Sequence, residues 1–214
     1  MSVDPEPVLC TSGWASRRTA LLYDAQLALE HSALSAAVEL ASPLADEIVL
    51  DLGTGTGGLL RALARRPGRP ATAIGIDASA AMLSRAPALP EGWRLVNADA
   101  RRIPLADASV DVVTCAYLLH VLDRPARRAV LQEIGRVLRP RGRAVFVSLL
   151  HPRGLIGRPL LAPAQRALGR VAGQGSGWCA LDPTAELEGA GLSPRRGRVC
   201  TRGYASLCLL TGRP

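Results

Sequence analysis

The chain has 214 residues, of which 48% are hydrophobic, 3% aromatic and 21% charged, and its formal net charge is +8. This length suits one domain with a sizeable core made of leucine, valine and alanine. No apolar run approaches the roughly 20 residues of a membrane span, and the acidic start MSVDPEPVLC is unlike a signal peptide. These features predict a cytoplasmic protein.

All 26 basic residues are arginines, and they are unevenly distributed. Residues 1–60 carry two basic and eight acidic side chains, whereas residues 139–214 carry 12 basic and three acidic ones. The basic part could favour an anionic partner, but a solvated face explains it more simply. The five cysteines contain no CxxC pair, so neither a disulfide framework nor a metal site is predicted.

Apolar periodicity divides the chain into two predicted parts. Residues 1–42 should form a loose arm followed by two helices, or one kinked helix, over 16–40. Residues 43–214 should form the main domain, with an insertion at about 151–180 where prolines and glycines interrupt the pattern. The predicted strands are 48–52, 71–76, 93–97, 110–116, 144–150, 196–201 and 204–211, and the predicted helices are 57–66, 78–86, 125–138 and 184–190.

Strands that alternate with helices indicate an α/β fold: a single doubly wound, mostly parallel seven-stranded sheet. The last two strands are close together in sequence and should form an antiparallel hairpin. In such sheets a ligand binds beyond the carboxyl ends of the strands, where the strand order reverses. Six residues fall at or just after predicted strand ends: Asp51, Gly53, Asp77, Asp99, Cys115 and His151.

The segment 48–58, IVLDLGTGTGG, predicts a strand, a tight turn and the start of a helix. Glycine tolerates the positive φ angles of such a turn and lets the backbone approach a ligand closely. The first N–H groups of the helix point into the same space. A ligand with a polar, partly anionic end is therefore expected at this turn.

Two nucleotide-like ligands fit these residues, and one of them is a nicotinamide dinucleotide. Gly53, Gly55 and Gly58 match the GxGxxG of dinucleotide folds, with Asp77 following 24 residues after Gly53, although this motif alone is weak evidence. Asp51 would repel a pyrophosphate, and a final antiparallel pair is unusual for a nicotinamide fold. These two features disfavour a dinucleotide, so an NAD(P)-dependent oxidoreductase is the runner-up hypothesis for the function.

Four segments in order resemble the class I S-adenosylmethionine-dependent methyltransferases: VLDLGTGTG (49–57), GIDASAAML (75–83), NADARRIPLADASVDVV (97–113) and RVLRPRGR (136–143). More narrowly, they resemble the small-molecule branch that includes the ubiquinone and menaquinone biosynthesis enzymes. The resemblance implies a Rossmann-like methyltransferase fold. It also implies S-adenosyl-L-methionine as methyl donor, S-adenosyl-L-homocysteine as product, and transfer to carbon, oxygen or nitrogen.

The resemblance also assigns cofactor roles by position. Asp51 and the glycine loop would surround the methionine part, Asp77 would accept both ribose hydroxyls, and Asp99 would accept from the adenine amine. The alternative for Asp99 is a cap of a turn or helix. The full set of implied cofactor-binding residues is Asp51, Gly53, Thr54, Gly55, Gly57, Asp77, Ala78, Met82, Asp99, Ala100 and Cys115.

Methyl transfer from a sulfonium needs little covalent help, because alignment of the acceptor alone can supply about 7–11 kcal/mol. An oxygen or nitrogen acceptor could also need a base. His120 and His151 are the candidates, and Tyr23 could close over the cofactor, as YD segments do in relatives. A structural role is an equally good interpretation of each.

The acceptor is expected to be a small molecule, by elimination. The segment after the fourth strand reads Cys115-Ala116-Tyr117-Leu118, without the (N/D)PP(Y/F) motif of nucleic-acid amino methylases. A cytosine-C5 methylase would need a Pro-Cys nucleophile, and no Pro-Cys dipeptide occurs. Residues 14–40 and 151–180 should border the acceptor. A non-catalytic cofactor-binding partner with the same fold is a third hypothesis.

Overall fold

The computed structural model describes residues 17–150, 181–202 and 205–212, and for residues 17–28 it describes the backbone alone. The strands are β1 (Ile48–Leu52), β2 (Thr72–Asp77), β3 (Arg94–Asn97), β4 (Val110–Ala116), β5 (Leu138–Leu149), β6 (Ser193–Cys200) and β7 (Ser206–Gly212). The helices are α1 (Arg17–Ala41), α2 (Gly58–Ala64), α3 (Ala80–Leu83), α4 (Arg124–Val137) and α5 (Thr184–Gly189). A 3-10 turn, Leu119–Val121, follows β4.

In the described part of the chain, seven strands form one sheet in the order β3-β2-β1-β4-β5-β7-β6. The pairs between β1 and its neighbours β2 and β4 are parallel, as are β2–β3 and β4–β5. Strand β7 pairs antiparallel with both β5 and β6. The predicted fold class and the C-terminal hairpin are confirmed. The strand order reverses between β1 and β4, so the carboxyl ends of these two strands open the ligand crevice.

Both faces of the sheet are buried, which explains the nearly continuous apolar runs of the parallel strands. One face packs on α4, whose buried residues recur at helical spacing, and the other packs on α1 and α2. Phe146, the one phenylalanine of the chain, lies fully buried on the α4 face. Among the helices in the described residues, none is both long and apolar enough to cross a bilayer.

An arginine ties the end of α1 to the sheet. The Arg143 guanidinium on β5 donates to the carbonyls of Ala41 and Ser42 at 2.6 and 2.9 Å, and to both carboxylate oxygens of Glu47 at 2.7 Å. The bidentate pair holds the pKa of the Glu47 carboxyl below its usual range. The segment that leads into β1 is thereby fixed at both of its ends.

The structure differs from the sequence-based expectations mainly at element boundaries. Helix α1 is one continuous helix, and α3 is four residues long because the chain turns before Pro87. The turn predicted at 140–142 lies inside β5. Leu138 pairs with Val110 and the next pair is Arg143 with Val112, so the residues between Leu138 and Arg143 form an irregularity in the strand. The division at residue 42 stays a prediction, and the predicted insertion at 151–180 lies outside the described residues.

Truncating the central aromatic side chain tests this packing. Phe146→Ala should lower the free energy of unfolding by about 3–5 kcal/mol, because a large cavity would remain between β5 and α4. Urea denaturation followed by circular dichroism measures the change. Val199→Ala is the matched control, since Val199 is 57% exposed on the edge strand and its truncation should change stability by no more than about 0.5 kcal/mol. Equal effects of the two variants would contradict this account of the core.

Candidate active site

The candidate site lies where β1, β2 and β4 end. Asp51 on β1 is paired in register with Gly75 of β2 on one side and Thr114 of β4 on the other. Asp77 is the last residue of β2. The carboxyl ends of the three strands therefore bring two acidic side chains to one edge of the sheet.

The loop after β1 has the conformation that its glycines predict. Gly53, Gly55 and Gly57 have φ angles of 69°, 55° and 76°, a region that side chains with a Cβ rarely adopt. The N–H groups of Gly53 and Thr54 donate to the Ile76 carbonyl at 2.9 and 3.0 Å. The loop is thus fastened to the end of β2.

Asp51 is a buried carboxylate with one free oxygen. Its side chain is 1% exposed, and Oδ1 accepts a hydrogen bond from the Thr114 hydroxyl at 2.7 Å. Oδ2 has no hydrogen-bond partner among the described residues. Buried polar atoms in proteins usually have a partner, so this oxygen marks a place where a ligand group would be stabilised.

Burial dominates the ionisation of Asp51 and raises its pKa to about 6. The hydroxyls of Thr54 and Thr114 act in the opposite direction, and the charge of Asp77 raises the pKa further. Thr54 exerts its effect without reaching hydrogen-bond geometry, since its Oγ1 has no partner among the described residues. A cationic ligand group beside Asp51 would favour its ionised form.

Asp77 is held by the backbone around it. Its Oδ2 accepts from the Gly55 N–H and its Oδ1 from the Ser79 N–H, both at 2.8 Å. Burial raises the pKa of this carboxyl, and the two N–H groups partly offset that effect. Each oxygen retains capacity for a further donor, so the carboxylate can accept hydrogen bonds from two neighbouring hydroxyls of a ligand.

The residues expected at an adenine ring lie beyond Asp77. Met82 is buried, its N–H donates to the Ser79 hydroxyl at 3.3 Å, and Ala78 is exposed. Asp99 accepts from the backbone N–H of Arg101 at 2.8 Å and forms a forked ion pair with its guanidinium, which holds the pKa of Asp99 low. Asp99 therefore caps a turn here, and its contact with adenine stays a prediction. Ala100 packs against the core.

Cys115 lies next to Thr114, but its side chain points to the opposite face of the sheet. The thiol is fully buried among the apolar residues on the α4 side. Burial raises the pKa of the thiol above its usual range, and the charge of Asp51 adds to this effect. Cys115 is therefore neutral, and its position beside the sulfonium stays a prediction.

His120 is a buried residue of the 3-10 turn, and burial lowers its pKa to about 4. The Tyr117 ring meets the imidazole edge to face, with 6.0 Å between the centroids. Tyr117 has a φ of 56° and shares a 2.8 Å hydrogen bond with the Ser206 hydroxyl on β7. Because its pKa is lowered to about 4, the His120 imidazole is neutral at physiological pH. The side chain of Tyr23 and the whole of His151 lie outside the described residues.

Sequence reasoning missed two residues of the site, Thr114 and Leu118. A Cβ at Gly53 would lie 3.1 Å from the Leu118 Cβ, so the Leu118 side chain covers the start of the glycine loop. Thr114 is the polar residue inside the buried face of β4. Its occurrence in an apolar strand was the available signal, but its partner could be identified only from the strand register.

The sequence has counterparts among known proteins. Residues 49–142 match the family described as a methyltransferase domain. The demethylmenaquinone methyltransferase of Thermotoga maritima is 39% identical over 116 residues, which is 54% of this chain and 49% of that protein. The malonyl-[acyl-carrier protein] O-methyltransferase of Xylella fastidiosa is 34% identical over 149 residues, 66% of this chain and 49% of that protein. The chain thus spans about half the length of these curated relatives.

A similar fold occurs in a solved structure. It is found in the complex between the Haloferax volcanii Trm112 methyltransferase activator and a methyltransferase, with a TM-score of 0.71 and 19% sequence identity. The similarity covers 95% of each chain. At this identity it establishes the shared fold.

The buried charge of Asp51 can be tested without a ligand. The folded chain should hold the Asp51 proton up to a pH of about 6, whereas an unfolded chain releases it near pH 4. Ionisation of Asp51 therefore destabilises the fold as the pH rises through this window. The free energy of unfolding of Asp51→Asn minus that of the wild type should therefore be roughly 1–3 kcal/mol larger at pH 7.5 than at pH 4.0.

Urea unfolding at the two pH values measures this difference, in which the titration of groups that do not interact with Asp51 cancels. Asp46→Asn is the control, because Asp46 is exposed at the opposite end of β1 and its substitution removes a carboxylate that is not buried. A relative stability of Asp51→Asn that is the same at both pH values would contradict a buried, destabilising charge.

Proposed function

We propose, since the chain belongs to the class I S-adenosylmethionine-dependent methyltransferases, that it transfers a methyl group from S-adenosylmethionine to a small-molecule acceptor. The observation that carries the proposal is the free Oδ2 of Asp51 beside the glycine loop. A buried carboxylate oxygen without a partner suits the ammonium group of the methionine part. It does not suit a pyrophosphate, which like charge would repel.

The residues around this oxygen fit the rest of the cofactor. The loop of Gly53, Gly55 and Gly57 has its positive φ angles already formed and would bring bare backbone close to the methionine part. Asp77 is fixed by two N–H groups and would accept from the ribose hydroxyls. Met82 would lie against the adenine.

When bound, S-adenosylmethionine supplies a methyl group on a sulfonium, which is already activated for transfer. The protein would then contribute binding, orientation and the exclusion of water. Leu118 covers the loop from the side of β4 and would keep water from this part of the site. The neutral His120 would accept a hydrogen bond from the molecule that is methylated, but its low pKa makes it a weak base. His151 remains a further proposal for a contact to the acceptor, and Tyr23 remains one for closure over the cofactor.

A small organic acceptor is supported by the relatives. The Thermotoga protein is named for demethylmenaquinone and the Xylella protein for malonyl-[acyl-carrier protein]. These names give different acceptors, so we infer that the part of the chain that the relatives share binds the donor. We infer that residues 14–40 and 151–180, which flank the matched region, select the acceptor.

Binding of S-adenosylhomocysteine measured by calorimetry tests the cofactor assignment. Asp77→Ala should weaken binding by about 10- to 100-fold, because hydrogen bonds to a charged group contribute about 1.5–3 kcal/mol. Asp46→Ala is the matched control, since this exposed carboxylate lies at the other end of β1 and its loss should leave the affinity unchanged. Unchanged affinity in Asp77→Ala would exclude the ribose contact.

Two further outcomes address the alternatives. Thermal stabilisation of the wild type by NAD(P)H, but not by S-adenosylhomocysteine, would overturn the proposal in favour of an oxidoreductase. Full affinity for S-adenosylhomocysteine, without methyl transfer to a broad panel of quinones, acids and amines, would favour a non-catalytic cofactor-binding partner.

A further inference from the structure

Asp51 lies at the centre of the candidate site, and groups from several elements face its carboxylate. These are the Thr114 hydroxyl on β4, the Thr54 hydroxyl in the loop, and the Asp77 carboxylate at the end of β2. The Cys115 thiol lies on the far side of β4. Among these described groups, which act on the Asp51 charge, none is a cation. Among the described residues, the carboxylate therefore depends on the Thr114 hydroxyl as its hydrogen-bond donor.

We propose that Thr114 is a positioning residue, whose hydroxyl anchors Oδ1 of Asp51 so that Oδ2 is presented to the cationic end of the cofactor. The inference rests on the proposed function, and it concerns a residue that makes no contact with the cofactor itself. Thr114 would act only through the orientation and the charge of Asp51.

The geometry of the hydroxyl supports one strong contact. Thr114 and Asp51 are paired in register on adjacent parallel strands, so their side chains leave the same face of the sheet. The hydroxyl lies 2.7 Å from Oδ1 of Asp51 and 3.4 Å from the Leu50 carbonyl. Since a hydroxyl has one hydrogen, the shorter contact is the one that it satisfies.

The same contact determines which carboxylate oxygen is available. A carboxylate can rotate about its last side-chain bond, and a fixed donor on one oxygen selects a single orientation. With Oδ1 bound to Thr114, Oδ2 is the oxygen without a partner among the described residues. Removal of the hydroxyl would leave both oxygens free to rotate, and the ammonium would then have to order the side chain as it binds.

Burial makes a purely structural role for the hydroxyl costly. Thr114 is 1% exposed in a strand whose other buried residues are valines and cysteine. An apolar β-branched residue of the same shape would fill this position without the desolvation of a hydroxyl. The hydroxyl also opposes the effect of burial on the pKa of Asp51, which keeps the carboxylate charged near neutral pH.

Two variants separate positioning from packing. Thr114→Val keeps the shape and removes the donor, whereas Thr114→Ser keeps the donor and removes a methyl group. If Thr114 positions Asp51, the serine variant should bind S-adenosylhomocysteine like the wild type, and the valine variant about tenfold more weakly at pH 7.5. If Thr114 only fills space, the order of the two variants is reversed, and that result would overturn the inference.

The pH profile provides a second measurement on the full chain. In calorimetric titrations from pH 5.5 to 8.5, the pH below which affinity falls should move upward by about one unit in Thr114→Val and stay in place in Thr114→Ser. The Asp51 carboxyl can also be followed by carbon-13 NMR without any ligand. Its pKa of about 6 should rise in the valine variant only.

The ligand-free measurement distinguishes failure of the inference from failure of the proposed function. An unchanged Asp51 pKa in Thr114→Val overturns the role of Thr114, whatever the binding experiments give. If the wild type does not bind S-adenosylhomocysteine while the Asp51 pKa rises in the valine variant, the anchoring of Asp51 is supported and the cofactor assignment fails.

Discussion

Asp51 places a carboxylate inside a sheet that is covered on both faces, and most features of the site follow from this position. Burial opposes its charge, so the charge persists only where donors and ligands can offset the loss of water. Thr114 supplies a donor from the adjacent strand. The loop after β1 contributes Thr54, whose hydroxyl also acts to lower the pKa of this carboxyl.

The strand order makes this arrangement possible. Strand β1 lies between β2 and β4, and the chain leaves the two sides of the crevice in opposite directions along the sheet. Asp77 therefore approaches from one side of Asp51, and Thr114 and Leu118 approach from the other. A carboxylate near an edge of the same sheet would lack one of these two sets of neighbours.

Most of the fold could be predicted from the sequence, because periodicity and turn residues are local signals. The bounds of β1 and β4 agree with the prediction, since apolar runs and glycines define them. The start of β5 was wrong because Pro140 to Gly142 form an irregularity within a strand, which depends on pairing with β4. The contacts of Thr114 with Asp51 and of Asp99 with Arg101 depend on register and rotamer, which no single-sequence pattern encodes.

The position of β7 has a consequence for the order of folding during synthesis. Strand β6 is made before β7, yet in the described residues β6 pairs with β7 alone, and β7 separates it from β5. Until β7 emerges, β5 exposes an apolar, unpaired edge, a type of surface prone to wrong pairing. The two strands should therefore dock together as a preformed hairpin. Docking of this hairpin then covers the edge of β5 and protects it from association with other chains.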